Sequence, residues 1–386
     1  MIQERNRHTI ENKPQVTERG RAGAEGGAAG RFAKSGSRRR AGRAAALALA
    51  AAALLLVAAG CGAGKASNAA SGATPPPSAA SDASPGGAAA GEPKLPSVLH
   101  YGFIGANKLN LPRGAEGWGL YKGIIQEALA PYGVTKVELT AFPNGPDQSE
   151  ALISGRLDFG SLGDTPAILA RSTGAKTRLI SQNQIDMLSY LIAKKNGPAS
   201  IQDLKGKTIA VQKGSYMHRY LVGLLKSEGV TGYKLVHMLS ADGEAALARG
   251  DVDAMTNSGA DALRLIDEGY PLLDDTTTHP ELYGTSVTVA TEAFLDQYPD
   301  FPKLWNEARL KALDDLKQHP DEYYDFLAQI SNTTPEIAKK VYPIESIEEQ
   351  PFRDEGLRLL DATKQFLIDE KIATKNFELN DWRLDY

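Results

Sequence analysis

Two short segments of this chain have the residue types and spacing to hold an anion. Gly160-Ser161-Leu162-Gly163-Asp164-Thr165-Pro166 joins a strand-like run to a helix-like run. Thr165 fits the N-cap there and Pro166 the first helical position. Val211-Gln212-Lys213-Gly214-Ser215 repeats the design, with Ser215 expected to cap a helix starting at Tyr216. The first backbone N–H groups of a helix lack intrahelical partners, and the positive dipole end points outward. Such an end is a ready site for an oxyanion. In open α/β sheets, ligands bind beyond the carboxyl ends of the strands, where these turns lie. Two of them, about 50 positions apart, could face each other across a cleft. The same composition also fits two ordinary capped turns. An anion would be repelled by Asp164, so its side chain is expected to turn away, to cap the helix, or to meet a cationic part of a ligand.

Other candidates cluster near these turns in the expected topology. His218 lies three positions after Ser215 and reads either as a donor to an oxyanion or as a surface helix histidine. Asn107 follows the first strand in a Gly-containing loop, again at a carboxyl end, and is a candidate contact. Lys108 and Arg113 are nearby cations that read as solvated loop positions. Tyr283-Gly284-Thr285 precedes a strand-like run; the Tyr283 hydroxyl either touches ligand or packs on a hinge. The six histidines show no metal-ligand spacing, so neither a metal nor a cofactor is expected. Asp321-Glu322 and Glu348-Glu349 read as solvated helical charge pairs, not acid–base dyads.

The elements that must position these residues alternate. Strands are expected at 98–104, 134–142, 157–161, 188–193, 208–211 and 233–238, and helices at 118–129, 148–153, 166–171 and 216–225. From 292 to 369 the signal is mostly helical. This rhythm predicts an α/β fold with mainly parallel sheets.

Residues 44–61 end in an Ala/Leu run followed by Ala58-Ala59-Gly60-Cys61, preceded by Arg38, Arg39, Arg40 and Arg43. A basic segment, a short apolar stretch and small residues form a secretory signal. The 16 residues from Ala44 to Ala59 fall short of the ~20 a membrane span needs. Cys61 is the only cysteine, and its setting resembles a bacterial lipobox, in which that cysteine carries lipid. Residues 1–43 read as an unfolded leader or an over-called start, and 61–96 as an Ala/Gly/Ser/Pro tether. Of the 43 basic and 47 acidic residues, 11 and 4 precede Cys61, leaving a formal charge of −11 for the remainder. That charge argues against nucleic acid as a partner. It also requires local dipoles and donors to hold any anion. Without further cysteines, stability must come from a packed core.

The order and spacing of several segments carry a family resemblance over roughly 98–386. They are Lys122-Gly123-Ile124-Ile125-Gln126-Glu127-Ala128-Leu129, Phe142-Pro143-Asn144-Gly145-Pro146, Gly155-Arg156-Leu157-Asp158-Phe159-Gly160, Gly163-Asp164-Thr165-Pro166-Ala167, Leu204-Lys205-Gly206-Lys207-Thr208-Ile209-Ala210-Val211-Gln212-Lys213-Gly214-Ser215, and Phe377-Glu378-Leu379-Asn380-Asp381-Trp382. Together they resemble the extracytoplasmic substrate-binding proteins of sulfonate/nitrate/taurine-type ABC transporters. The resemblance implies a two-lobed type II periplasmic-binding architecture with two hinge crossings, lobe 1 from 97–188 plus 287–386 and lobe 2 from 189–286. It implies a small anionic or zwitterionic solute held by Gly163, Asp164 and Thr165 on one side and Gly214, Ser215, Tyr216 and His218 on the other, with Thr285 at the second crossing. It also implies a monomer that is no enzyme, delivers solute to an ABC permease and its ATPase, and touches the membrane only through its lipid. Sulfonate binders of this family often carry Trp where this chain has Asp253-Ala254-Met255-Thr256-Asn257-Ser258-Gly259. Asn257 and Ser258 offer hydrogen bonds there instead, which favours a more polar ligand. Alternatives are a thiamine-pyrimidine-related binding protein or enzyme on the same scaffold, and an anchored sensor.

Overall fold

The computed structural model describes residues 94–386; the leader, Cys61 and most of the tether lie outside them. The chain opens with β1 (Val98–Ile104), then α1 (Gly114–Lys122) and α2 (Ile124–Leu129). One continuous helix was expected over 118–129. Gly123 splits it, because its φ of +79° places it in the left-handed region where it ends α1 and starts α2. Next come β2 (Lys136–Phe142), α3 (Gly145–Ile153), β3 (Phe159–Gly163), α4 (Asp164–Ser172) and the long β4 (Thr177–Met187). The chain then builds β5 (Tyr190–Ala193), β6 (Thr208–Val211), α5 (Tyr216–Ser227), β7 (Lys234–His237), α6 (Ser240–Arg249), β8 (Ala254–Asn257), α7 (Gly259–Asp267) and β9 (Leu272–Asp275). It returns through β10 (Gly284–Thr291) and closes with α8 (Glu292–Gln297), α9 (Phe301–Gln318), α10 (Pro320–Ser331), α11 (Pro335–Val341), α12 (Asp354–Asp369) and α13 (Leu379–Trp382).

The strands form two five-stranded sheets, ordered β2-β1-β3-β10-β4 and β7-β6-β8-β5-β9. Pairing is parallel among β1, β2 and β3 and among β6, β7 and β8. The expected parallel character therefore holds, with one exception in each sheet. β10 runs antiparallel to β3 and β4, and β5 antiparallel to β8 and β9. These exceptions are the strands by which the chain enters one sheet from the other. The two connections lie side by side: the Ser189 N–H donates to the Thr276 hydroxyl at 2.9 Å, and the Thr276 N–H to the Ser189 carbonyl at 3.1 Å.

Both sheets are covered on two faces, as parallel sheets must be. In β10, Val287 and Val289 face one cluster with Ile168, Leu360, Leu367 and Trp382. Ala290 faces the opposite cluster with Tyr101, Phe159, Phe301 and Trp305. The second sheet packs Tyr220, Leu221 and Leu224 of α5 on one side, and Ala246, Leu247, Ala262 and Leu265 of α6 and α7 on the other. Truncating such buried side chains to Ala costs about 2–5 kcal/mol each, so these layers fix where the turns can sit. Glu348 departs from its expected solvated helical setting: it is buried, lies outside any helix and meets Arg353 at 3.0 Å.

Candidate functional site

At the carboxyl end of β3 the helix starts earlier than its sequence suggests. Gly163 is the N-cap and α4 begins at Asp164, so Thr165 lies inside the first turn. The reason is the Asp164 carboxylate, which takes the capping role itself. Its Oδ1 accepts from the Thr165 N–H and, at 2.9 Å, from the Thr165 hydroxyl. Its Oδ2 accepts from the Thr285 N–H at 3.0 Å and the Thr285 hydroxyl at 3.2 Å. Asp164, Thr165 and Thr285 are fully buried. A protein carboxylate thus occupies the positive end of α4, where negative charge is favoured, and pins that helix to β10.

The end of α5 is built without a carboxylate. Ser215 is the N-cap; its Oγ accepts from the His218 N–H at 3.3 Å and donates to the Gln212 carbonyl at 2.6 Å. Gly214 holds φ +81°, which an L side chain resists. The Gly214 N–H points at His218 Nδ1 (3.4 Å) and the Lys213 N–H at His237 Nδ1 (3.1 Å). Burial pushes the His218 pKa down, helped by Lys213 and His237, so its ring stays neutral and able to accept. The first turn of α5 carries no acidic residue.

These two ends meet. The Tyr216 ring lies against two glycines of the first sheet: a methyl on Gly163 would sit 3.5 Å from it, and one on Gly284 only 2.6 Å from Cγ. Gln212 Nε2 donates to the Pro143 carbonyl at 3.0 Å, and a methyl on Gly214 would come within 3.1 Å of Pro146. Burial pushes the Tyr216 phenol up to about 12; the facing Ser258 opposes this, Tyr342 adds to it, and Arg113 opposes it. Arg113 stacks its guanidinium over the Tyr342 ring, 5.1 Å from the centroid. Its charge is favoured first by Tyr342, against desolvation, and then by Tyr216 and Asp261. The Tyr342 hydroxyl in turn abuts Gly259, which holds φ +62° at the start of α7. Arg113 and Tyr342 from the first sheet's side, with Tyr216, Ser258 and Gly259 from the second's, therefore border one cleft.

The expected residues divide into three groups. Gly163, Gly214, Ser215, Tyr216 and His218 gather at the meeting of the turns, and Asp164, Thr165 and Thr285 form the buried pin beneath. Asn107 serves its own loop: Oδ1 accepts from the Leu109 and Leu111 N–H groups and Nδ2 donates to the Leu111 carbonyl at 2.8 Å. Asn257 is buried, donates to Glu244 at 3.0 Å and accepts from the Ser258 N–H at 2.9 Å. Tyr283 is half-buried, and its carbonyl accepts from buried Arg219 of α5. Sequence reading passed over Arg113 as a solvated loop position and gave Tyr342 no role. Arg113 carried a usable signal, since it directly precedes Gly114 at a helix start after a carboxyl strand end. Tyr342 carried none, because only the tertiary fold brings it to the cleft. A shallow depression of about 450 Å³ lined by Asp354, Leu357 and Arg358 lies on α12 instead. Among the described residues, no helix is long and apolar enough to cross a membrane, and no cluster of His, Cys, Asp or Glu is placed to hold a metal.

Two mixed sheets joined by two adjacent crossings give a two-lobed architecture of the periplasmic-binding fold. The family described as NMT1/THI5 like matches residues 133–323. A relative from Escherichia coli (strain K12), named for binding aliphatic sulfonates, is 34% identical over 148 residues, 35% of this chain and 46% of its own length. A second of that name, from Bacillus subtilis (strain 168), is 26% identical over 269 residues, 67% of this chain and 79% of its own. This chain thus spans about half of the first relative's length. The alkanesulfonate-binding protein SsuA from Xanthomonas axonopodis pv. citri, solved bound to MOPS, superposes with a TM-score of 0.62 at 21% identity, covering 75% of this chain and 99% of that one. The desulfurization enzyme DSZB shares the fold with a TM-score of 0.59 at 17% identity, covering 75% and 96%. Over these stretches the chain is similar to the NMT1/THI5-like family and to proteins named for binding sulfonates.

Proposed function

We propose that this protein captures a small sulfonate-type solute between two lobes, one built on each five-stranded sheet, and delivers it to an ABC permease and its ATPase. The observation that carries this reading is the seating of Tyr216, on the second sheet's helix, against Gly163 and Gly284 of the first. A ligand held there is touched from both sides, and only the closed arrangement presents both lobes in one fixed relation to a permease. The names of the relatives support the sulfonate class. The Trp-free 253–259 segment remains compatible with it, because Tyr342 supplies aromatic surface beside Gly259. Cys61 holds the protein to the outer face of the cytoplasmic membrane by lipid, and the tether gives it reach.

Thermal-shift screening of the protein against sulfonates, taurine, nitrate and pyrimidines tests the solute class. A ligand at a hundred times its dissociation constant adds ~2.7 kcal/mol of apparent stability. Shifts by sulfonates support the reading; shifts by pyrimidines alone favour the second reading that the NMT1/THI5-like match supports. Cys61→Ser should release the protein to the soluble fraction or leave it unprocessed. Wild-type processing and membrane retention in that variant would rule out the lipid anchor.

A further inference from the structure

Both helix N-termini expected to receive an anion already have partners. Asp164 fills the end of α4 with a carboxylate whose two oxygens each accept from Thr165 or Thr285. At α5, Ser215 and the two imidazoles engage the N–H groups of His218, Gly214 and Lys213. The headgroup of an anionic solute therefore needs another counter-charge. Arg113 is exposed to the cleft and packs on Tyr342, and among the described residues it forms no ion pair. Several other arginines are engaged: Arg171 with Glu292 at 2.9 Å, Arg353 with Glu348 at 3.0 Å, and Arg219 with the carbonyl of Leu282 at 3.1 Å. An unpaired guanidinium stacked on a phenol is pre-oriented, which reduces the ordering cost when it binds.

We propose that Arg113 is the specificity-determining residue of the cleft: it pairs with the solute's anionic headgroup, while the hydroxyls of Tyr342, Tyr216 and Ser258 donate to the remaining oxygens. This rests on the functional reading above and deepens it. A guanidinium only donates; of the carboxylates close to Arg113 and Tyr216, the buried Asp164 is engaged as described, while Asp261 is exposed, with Arg264 at 3.8 Å. An oxyanion that still carries a proton finds no free buried carboxylate to accept it. The cleft thus favours a fully deprotonated monoanion, which a sulfonate is and a phosphate monoester near neutral pH is not.

The test is calorimetric titration of wild type, Arg113→Gln and Arg113→Lys with ethanesulfonate, MOPS and taurine, and with methyl phosphate at pH 6. Arg113→Gln should weaken the best sulfonate roughly ten- to a hundredfold, the range for losing a charge-assisted bond. Arg113→Lys should weaken it less, and the unliganded melting temperature should stay at the wild-type value in both. Methyl phosphate should bind at least roughly tenfold more weakly than the sulfonate. Wild-type affinity in Arg113→Gln, or methyl phosphate binding as tightly as the sulfonate, would overturn the inference while leaving the functional reading intact. A wild-type protein that binds none of the three sulfonates would overturn both.

Discussion

The turn entering α4 and the turn entering α5 have nearly the same sequence logic and opposite electrostatics. Each runs from a strand end through glycine to a small hydroxyl residue. At α4 a buried carboxylate completes the turn and ties it to β10. At α5 a hydroxyl and two imidazoles complete it, and the next side chain, Tyr216, reaches across to the other sheet. One turn is a rivet within its lobe and the other is a contact between lobes. A local motif fixes where backbone donors point; the side chain one position away decides whether they remain open to a ligand.

The contrast predicts different failures on the two sides. Asp164→Ala strands buried donors on Thr165 and Thr285, so it should lower unfolding free energy by about 3–5 kcal/mol. Urea denaturation reads this directly, and a loss below about 1 kcal/mol would deny the rivet. Gly284→Ala places a methyl against the Tyr216 ring. Here the larger effect should fall on affinity, with the sulfonate bound at least roughly tenfold more weakly because the lobes cannot seat. Equal affinity by calorimetry would mean that closure does not pass through this contact. Ser215→Ala removes a cap and should cost about 1 kcal/mol of stability with a comparable loss of binding.

The smallest effect concerns pH. Burial lowers the folded-state pKa of His218, so the unfolded chain binds its proton more readily. Stability should therefore fall as pH drops below the unfolded value of about 6.5 and level off below the folded one. Melting curves between neutral pH and acid should show this slope, and His218→Gln should flatten it. An unchanged slope in that variant would place the titration elsewhere.

Much of the fold was legible because local periodicity fixes strands such as β1 and β6, whose expected bounds coincide with the observed ones. The Gly123 break was missed because a single glycine inside an amphipathic run does not announce a left-handed φ. The antiparallel course of β5 and β10 is set by the crossings between sheets, and no local pattern encodes it. At the site, Ser215 could be read because capping is local. Asn107 and Asn257 could not be separated from true ligand contacts, since composition does not say whether an amide is consumed by its own loop. Asp164 was ambiguous for the same reason: its partner Thr285 lies 121 positions away.

The central claim is that a solute is clamped between the two lobes. Small-angle scattering of the protein with and without a saturating sulfonate, identified by the thermal-shift screen, measures that directly. The account predicts a smaller radius of gyration on saturation, and weaker binding by Ser215→Ala. A constant radius together with wild-type affinity in Ser215→Ala would contradict it.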